Sequence, residues 1–225
     1  MRRFALALVV VTAAVAATAS PGGAQNECHG IRQCIPVSGP WVVVQHGVES
    51  GFLATCGKHG VVGGVDAVAT TTAVRLSFDG RLGAPVSPGV TTTSSAFFRA
   101  RLVQGRIAAF QPWLGCIPAS GGGGRSTVSA RVAPGAALDR VSRTVVVSPG
   151  EVKFASIACP AGERLVDGWH ALAFRTKNPP ALGLAGLVEA VHRLTRSRVV
   201  ATVAATDALT IDAHAIVQVG AVCAP

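Results

Sequence analysis

Residues 41–56, WVVVQHGVESGFLATC, and residues 144–159, TVVVSPGEVKFASIAC, decide how this chain is read. Both carry three consecutive valines, Val42-Val43-Val44 and Val145-Val146-Val147. A glycine follows three positions after the last valine (Gly47, Gly150), and a cysteine twelve positions after it (Cys56, Cys159). Each block then closes on a cysteine followed by Xaa-Pro, Cys116-Ile117-Pro118 and Cys223-Ala224-Pro225. Valine is stiff at χ1 and packs well on a pleated surface, and glycine serves the turns between strands. The spacing therefore predicts one β unit written twice, over residues 41–118 and 144–225.

Working outward, the same texture continues. Thr72, Val74, Leu76 and Phe78 alternate with Arg75 and Ser77, and Asp79-Gly80 supplies a turn. Val152, Phe154, Ser156 and Ala158 alternate with Lys153, Ala155 and Ile157. Residues 184–194 fit one helical face and can also be drawn as a strand; the matching part of the first block has no helical period, which favours strand or irregular structure. Residues 211–222 read as one long strand with Ile211, Ala213, Ala215, Val217, Val219 and Ala221 on one face. Many short strands separated by frequent turns predict an all-β fold: two tandem antiparallel β-sandwich or barrel-like repeats, stapled by disulfides. Between them, residues 119–143 form a linker whose Gly121-Gly122-Gly123-Gly124 core favours flexible coil.

The start of the chain reads as an export signal. Arg2 and Arg3 precede an apolar run from Phe4 to Ala17, and small residues follow. Cleavage is expected after Ala24, giving a signal peptide over 1–24 and a secreted, extracellular mature chain. Ala19 is the second choice of site. No later apolar run reaches the roughly 18 residues that a transmembrane helix needs. Residues 25–40 are a cysteine-bearing lead with no periodicity.

Export gives the cysteines their meaning. All six lie after the signal: Cys28, Cys34, Cys56, Cys116, Cys159 and Cys223. An even count in an exported chain points to disulfides, although six cysteines allow fifteen pairings. If each block is self-contained, the pairs are Cys56–Cys116 and Cys159–Cys223, which leaves Cys28–Cys34. Cys34-Ile35-Pro36 echoes Cys116-Ile117-Pro118, however, and a strand ending at Cys34 with another partner stays open. Without Cys-x-x-Cys, and with wide spacings, no metal and no cofactor are expected.

The chain has a net charge of +9, and 17 of its 20 basic residues are arginine. The densest groups, Arg99/Arg101/Arg106 and Arg193/Arg196/Arg198, form no run and are not interleaved with stacking aromatics, so nucleic acid is not an expected partner. A cell-surface glycan or an anionic polymer fits better. Gly-x-Ser-x-Gly, Ser-x-x-Lys and His-Glu-x-x-His are all absent. Asp212 and His214 read as a solvated pair on a strand. Asp167, Trp169 and His170 are the candidate binding residues: Trp169 follows an Asp-Gly turn, where it is expected to be exposed, with a carboxylate and an imidazole beside it. No catalytic residue is assigned. The reading is an exported, non-enzymatic binding or structural protein of the cell exterior, with an exported hydrolase of extracellular polymers as the alternative and a polyanion-binding surface protein as a third possibility.

Overall fold

The computed structural model describes residues 28, 34–57, 60–79, 94–118 and 138–225. The signal segment, His59 and positions 119–137 of the linker lie outside the described residues. The strands of the first half are β1 (Ile35–Ser38), β2 (Trp41–Gln45), β3 (Glu49–Thr55), β4 (Gly60–Ala69), β5 (Val74–Asp79), β6 (Ser95–Leu102) and β7 (Ile107–Pro118). Those of the second half are β8 (Asp139–Val146), β9 (Val152–Ala158), β10 (Arg164–Phe174), β11 (Val188–Leu194), β12 (Arg198–Ala205) and β13 (Ala215–Ala224). Every ladder between them is antiparallel. The fold is all-β.

A seven-stranded sheet forms the middle of the molecule. Its order is β1-β7-β2-β10-β13-β8, and β4 pairs with β7 as well. The halves meet where Val42 pairs with Ala173 and Trp41 with Phe174. They are therefore not two closed sandwiches side by side; their larger sheets run into one. Two three-stranded sheets cover it. One, β3-β6-β5, shares a core with Val42, Val44, Ala171, Ala173 and Ile216. The other, β11-β12-β9, shares a core with Val43, Leu172, Phe174, Val217 and Val219. Side chains alternate across a strand, so these two cores lie on opposite faces of the central sheet. This is why Val42, Val43 and Val44 are all buried. A strand covered on both faces reads as a continuous apolar run, each valine contributing about 1.5–3 kcal/mol on burial.

The ladders of the two halves match position by position. Phe52 pairs with Phe98, and Ala155 with Ala201. Asp66 pairs with Trp113, and Trp169 with Gly220. The β4–β7 ladder shifts register between Val62 and Gly64, and the β10–β13 ladder shifts between Leu165 and Asp167. Such bulges insert one extra residue and bend the strand. Gly47 and Gly150, at corresponding turns, both have positive φ, a conformation that glycine adopts without strain. The disulfides are Cys28–Cys34, Cys56–Cys116 and Cys159–Cys223.

Several sequence expectations need correction. The lead, expected without periodicity, contributes a strand: β1 pairs with β7, in line with β2 along the same edge. Pro40, with no N–H to donate, stands at the break between them. β8 starts at Asp139, inside the stretch expected as linker. The long strand expected over 211–222 begins at Ala215, because Ile211–Ala213 form a 3-10 turn and His214 adopts a left-handed conformation with φ 44°. Asp212 and His214 are exposed but do not share a strand face. Leu182–Leu187 is a 3-10 turn and Val188–Leu194 is β11. In β9 the buried face carries Ala155, while Phe154 is 74% exposed.

Gln218 ties the layers together. It is 3% exposed. Its Oε1 accepts from the Leu53 N–H at 2.7 Å, and its Nε2 donates to the Leu53 carbonyl at 3.0 Å. β3 is an edge strand of its sheet, and this side chain satisfies backbone groups that no ladder reaches. Gln218→Leu strands both groups in a dry interface. It is expected to lower stability by about 2–3 kcal/mol, measured as the shift in urea midpoint at constant m-value.

Candidate functional site

The candidate residues Asp167, Trp169 and His170 sit on β10 just after its bulge. Strand alternation sends Trp169 and His170 to opposite faces. Trp169 turns toward the β3-β6-β5 side, where its ring meets the Phe97 ring edge-on at 4.6 Å. It also lies over Gly220, where any Cβ would run into the indole. Trp169 is 8% exposed, so the expectation of an exposed aromatic platform fails. Its position is set by the missing side chain at its cross-strand partner Gly220, together with Phe97 from the other half. Its indole N–H is buried with no acceptor among the described residues, as are those of Trp41 and Trp113.

His170 turns the opposite way, toward β11. Its Nδ1 lies 2.7 Å from Nδ1 of His192, with ring centroids 4.9 Å apart. The two nitrogens face each other along the line between the rings, and in the neutral pair one carries the proton that the other accepts. Burial lowers the pKa of His170, and the neighbouring His192 lowers it further; a hydrogen bond to the Ala190 backbone acts in the opposite sense. Asp167 is exposed, and its Oδ1 accepts from the Gly168 N–H at 2.7 Å. It does not join the other two.

Trp169 and His170 border one cleft of about 330 Å³. The second half contributes these two residues with Ala190 and His192, and the first half contributes Val43, Gln45, Val48, Glu49 and Ser50. The cleft thus lies at the junction of the halves. It brings imidazole, carboxylate and hydroxyl groups around one space, together with the apolar side chains of Val43, Ala171 and Leu172. Pockets of this size with a few converging polar groups are suited to small ligands. Glu49, Ser50 and His192 escaped the sequence reading. His192 had a signal: drawn as a strand, 188–194 places Val188, Ala190 and His192 on one face, and Val188 is buried.

His170 also makes stability depend on pH. A histidine held neutral in the fold has a lower pKa there than in the unfolded chain, which therefore takes up protons first as pH falls through about 6.5. Stability is full above that value and declines below it, toward the depressed folded pKa. The other titratable groups on this cleft are His192 and Glu49. The melting temperature is expected to drop between pH 7.5 and pH 5, and His170→Gln is expected to flatten that slope. An equally steep slope in the variant would place the titration elsewhere.

Among the described residues no group of three or more histidine, cysteine, aspartate or glutamate side chains is placed to hold a metal ion. No helix there is long and apolar enough to cross a membrane. Three disulfides fit an oxidising compartment. No family model, curated protein or solved structure matches the chain.

Proposed function

We propose that this chain is an exported, non-enzymatic binding module built by tandem duplication, and that it takes its ligand in the cleft between the halves. The duplication is supported by the matched ladders and bulges. The cleft reading rests on one observation: His170, His192 and Glu49 stand opposite apolar residues of the other half, Ala67, Phe78 and Val152, although the scaffold is matched. In the ladders, Trp169 corresponds to Asp66 and His170 to Ala67, because Asp66 pairs with Trp113 where Trp169 pairs with Gly220. What differs between two copies of one scaffold is where a function specific to one surface can reside. The mixed apolar and hydrogen-bonding wall suits a sugar unit of a cell-surface glycan.

The exported hydrolase is the alternative, because the cleft combines imidazole, carboxylate and hydroxyl groups, the residue types of acid–base chemistry. A glycan array followed by titration calorimetry tests the binding reading. Saturable binding that weakens at least tenfold in His192→Ala supports the cleft, and binding unchanged by that variant contradicts it. Turnover in a hydrolase screen, lost in the same variant, would replace the binding reading with the enzymatic one.

A further inference from the structure

The face of the β3-β6-β5 sheet opposite Phe52 and Phe98 carries a second feature, which meets the cleft at Glu49. Its residues fall into rows across the three strands. One row is Glu49, Arg101 and Arg75; the next is Gly51, Arg99 and Ser77; the third is Leu53, Phe97 and Asp79. Arg75 and Arg101 are direct cross-strand partners, and both are exposed. Like charges placed directly opposite each other repel across an antiparallel pair, so this position costs stability unless something neutralises it.

The nearby carboxylates are engaged elsewhere. Oδ2 of Asp79 takes Nη2 of Arg99 and Nη2 of Arg140, each at 2.8 Å. Glu49 lies 3.8 Å from Nη1 of Arg99. Arg99 and Arg140 also stack on Phe97, with guanidinium carbons 5.7 and 4.9 Å from the ring centroid. Arg99 is thus held on both sides. Among the described residues, no carboxylate lies within ion-pair distance of Arg75 or Arg101. The two border a small concavity of about 150 Å³, with Ser77, Arg99 and Glu49 on its walls. The charge there is three guanidinium groups against one carboxylate, a local excess of two positive charges.

From this arrangement we infer a binding site for a tetrahedral oxyanion, a sulfate or phosphate group, held between the forks of Arg75 and Arg101 with the Ser77 hydroxyl as a further donor. Planar guanidinium forks match such groups two hydrogen bonds at a time. The negative charge of such a group offsets the repulsion between Arg75 and Arg101. The group can come as a free ion or as a substituent on an extracellular polysaccharide; the chemistry is shared. The site lies on a rigid sheet, and strand register fixes the spacing of the two forks, so binding needs no rearrangement of the backbone.

The test is titration of the disulfide-bonded full-length chain with sodium sulfate at low ionic strength, followed by amide chemical shifts. Saturable shifts on β5 and β6 are expected, with affinity reduced about tenfold in Arg101→Gln and less in Arg101→Lys, which keeps the charge and loses the fork. Arg193→Gln, on β11, changes net charge equally and is expected to leave the affinity unchanged. Absence of saturable shifts in the folded wild-type chain, or equal weakening by the Arg193 variant, overturns the site. A sulfated-polysaccharide column separates the two sources. Elution at lower salt for Arg101→Gln than for Arg193→Gln assigns the polymer-borne group, and equal elution of the two variants, given sulfate binding, assigns the free ion.

Discussion

Replacing Cys159 and Cys223 together by alanine is expected to lower the unfolding free energy by about 4 kcal/mol. The bridge closes a loop of 64 residues, and the chain-entropy model scales its effect with the logarithm of that length. Cys223 is fully buried in the core beneath β11-β12-β9, so alanine keeps the site apolar and avoids stranding a hydroxyl. The same double substitution at Cys28 and Cys34, six positions apart, is expected to cost only about 2 kcal/mol. Urea unfolding of the two variants under identical conditions checks both figures. Equal losses would mean that loop closure is not what these bridges contribute. Domains of this kind are stable by about 5–15 kcal/mol, so the larger loss is a substantial share of the whole.

Trp169→Ala is expected to cost about 3–5 kcal/mol, the usual range for deleting a buried tryptophan. The indole fills the space above Gly220 and packs edge-on against Phe97 across the junction of the halves. Its removal opens a cavity at the place where the second half leans on the first. Gly220→Ala alone is also expected to destabilise, because its methyl group collides with the indole. In the Trp169→Ala background the same methyl enters vacated space. The two substitutions should therefore be less than additive, by about 1 kcal/mol or more in a double-mutant cycle of urea midpoints. Additive losses would show that the two positions are not in contact.

The scaffold was legible because its signals are local and periodic. Valine runs, turn glycines and cysteine spacing each act within one element, and they located most of the strands and led to the three disulfide pairs by equivalence. What could not be read is how the halves join. Val42 to Val44 announce a strand buried on both faces, but no residue names β10 as its neighbour. The same limit applies to Gln218, whose partner Leu53 lies 165 positions away. The Asp-Gly pair before Trp169 reads as a turn that exposes the ring, yet Asp167 and Gly168 pair with Val222 and Ala221 inside a strand, just past its bulge. His170 was found as a polar residue beside an aromatic. Its partner His192 was hidden by an apolar stretch that fits two periodicities. In the sequence the arginines are scattered, since Arg75 and Arg101 become neighbours only through the β5–β6 register.

The two halves form one packed structure, and a cleft lies at their junction. Hydrogen exchange at a single amide tests it most directly. The N–H of Leu53 has its acceptor in the other half, on the side chain of Gln218. Its exchange is expected to be slowed to the level of the surrounding ladder amides, and to accelerate in Gln218→Leu while the β6–β5 amides stay protected. Exchange of the Leu53 amide at the unfolded-chain rate in the wild-type protein would contradict the joined structure and the cleft with it.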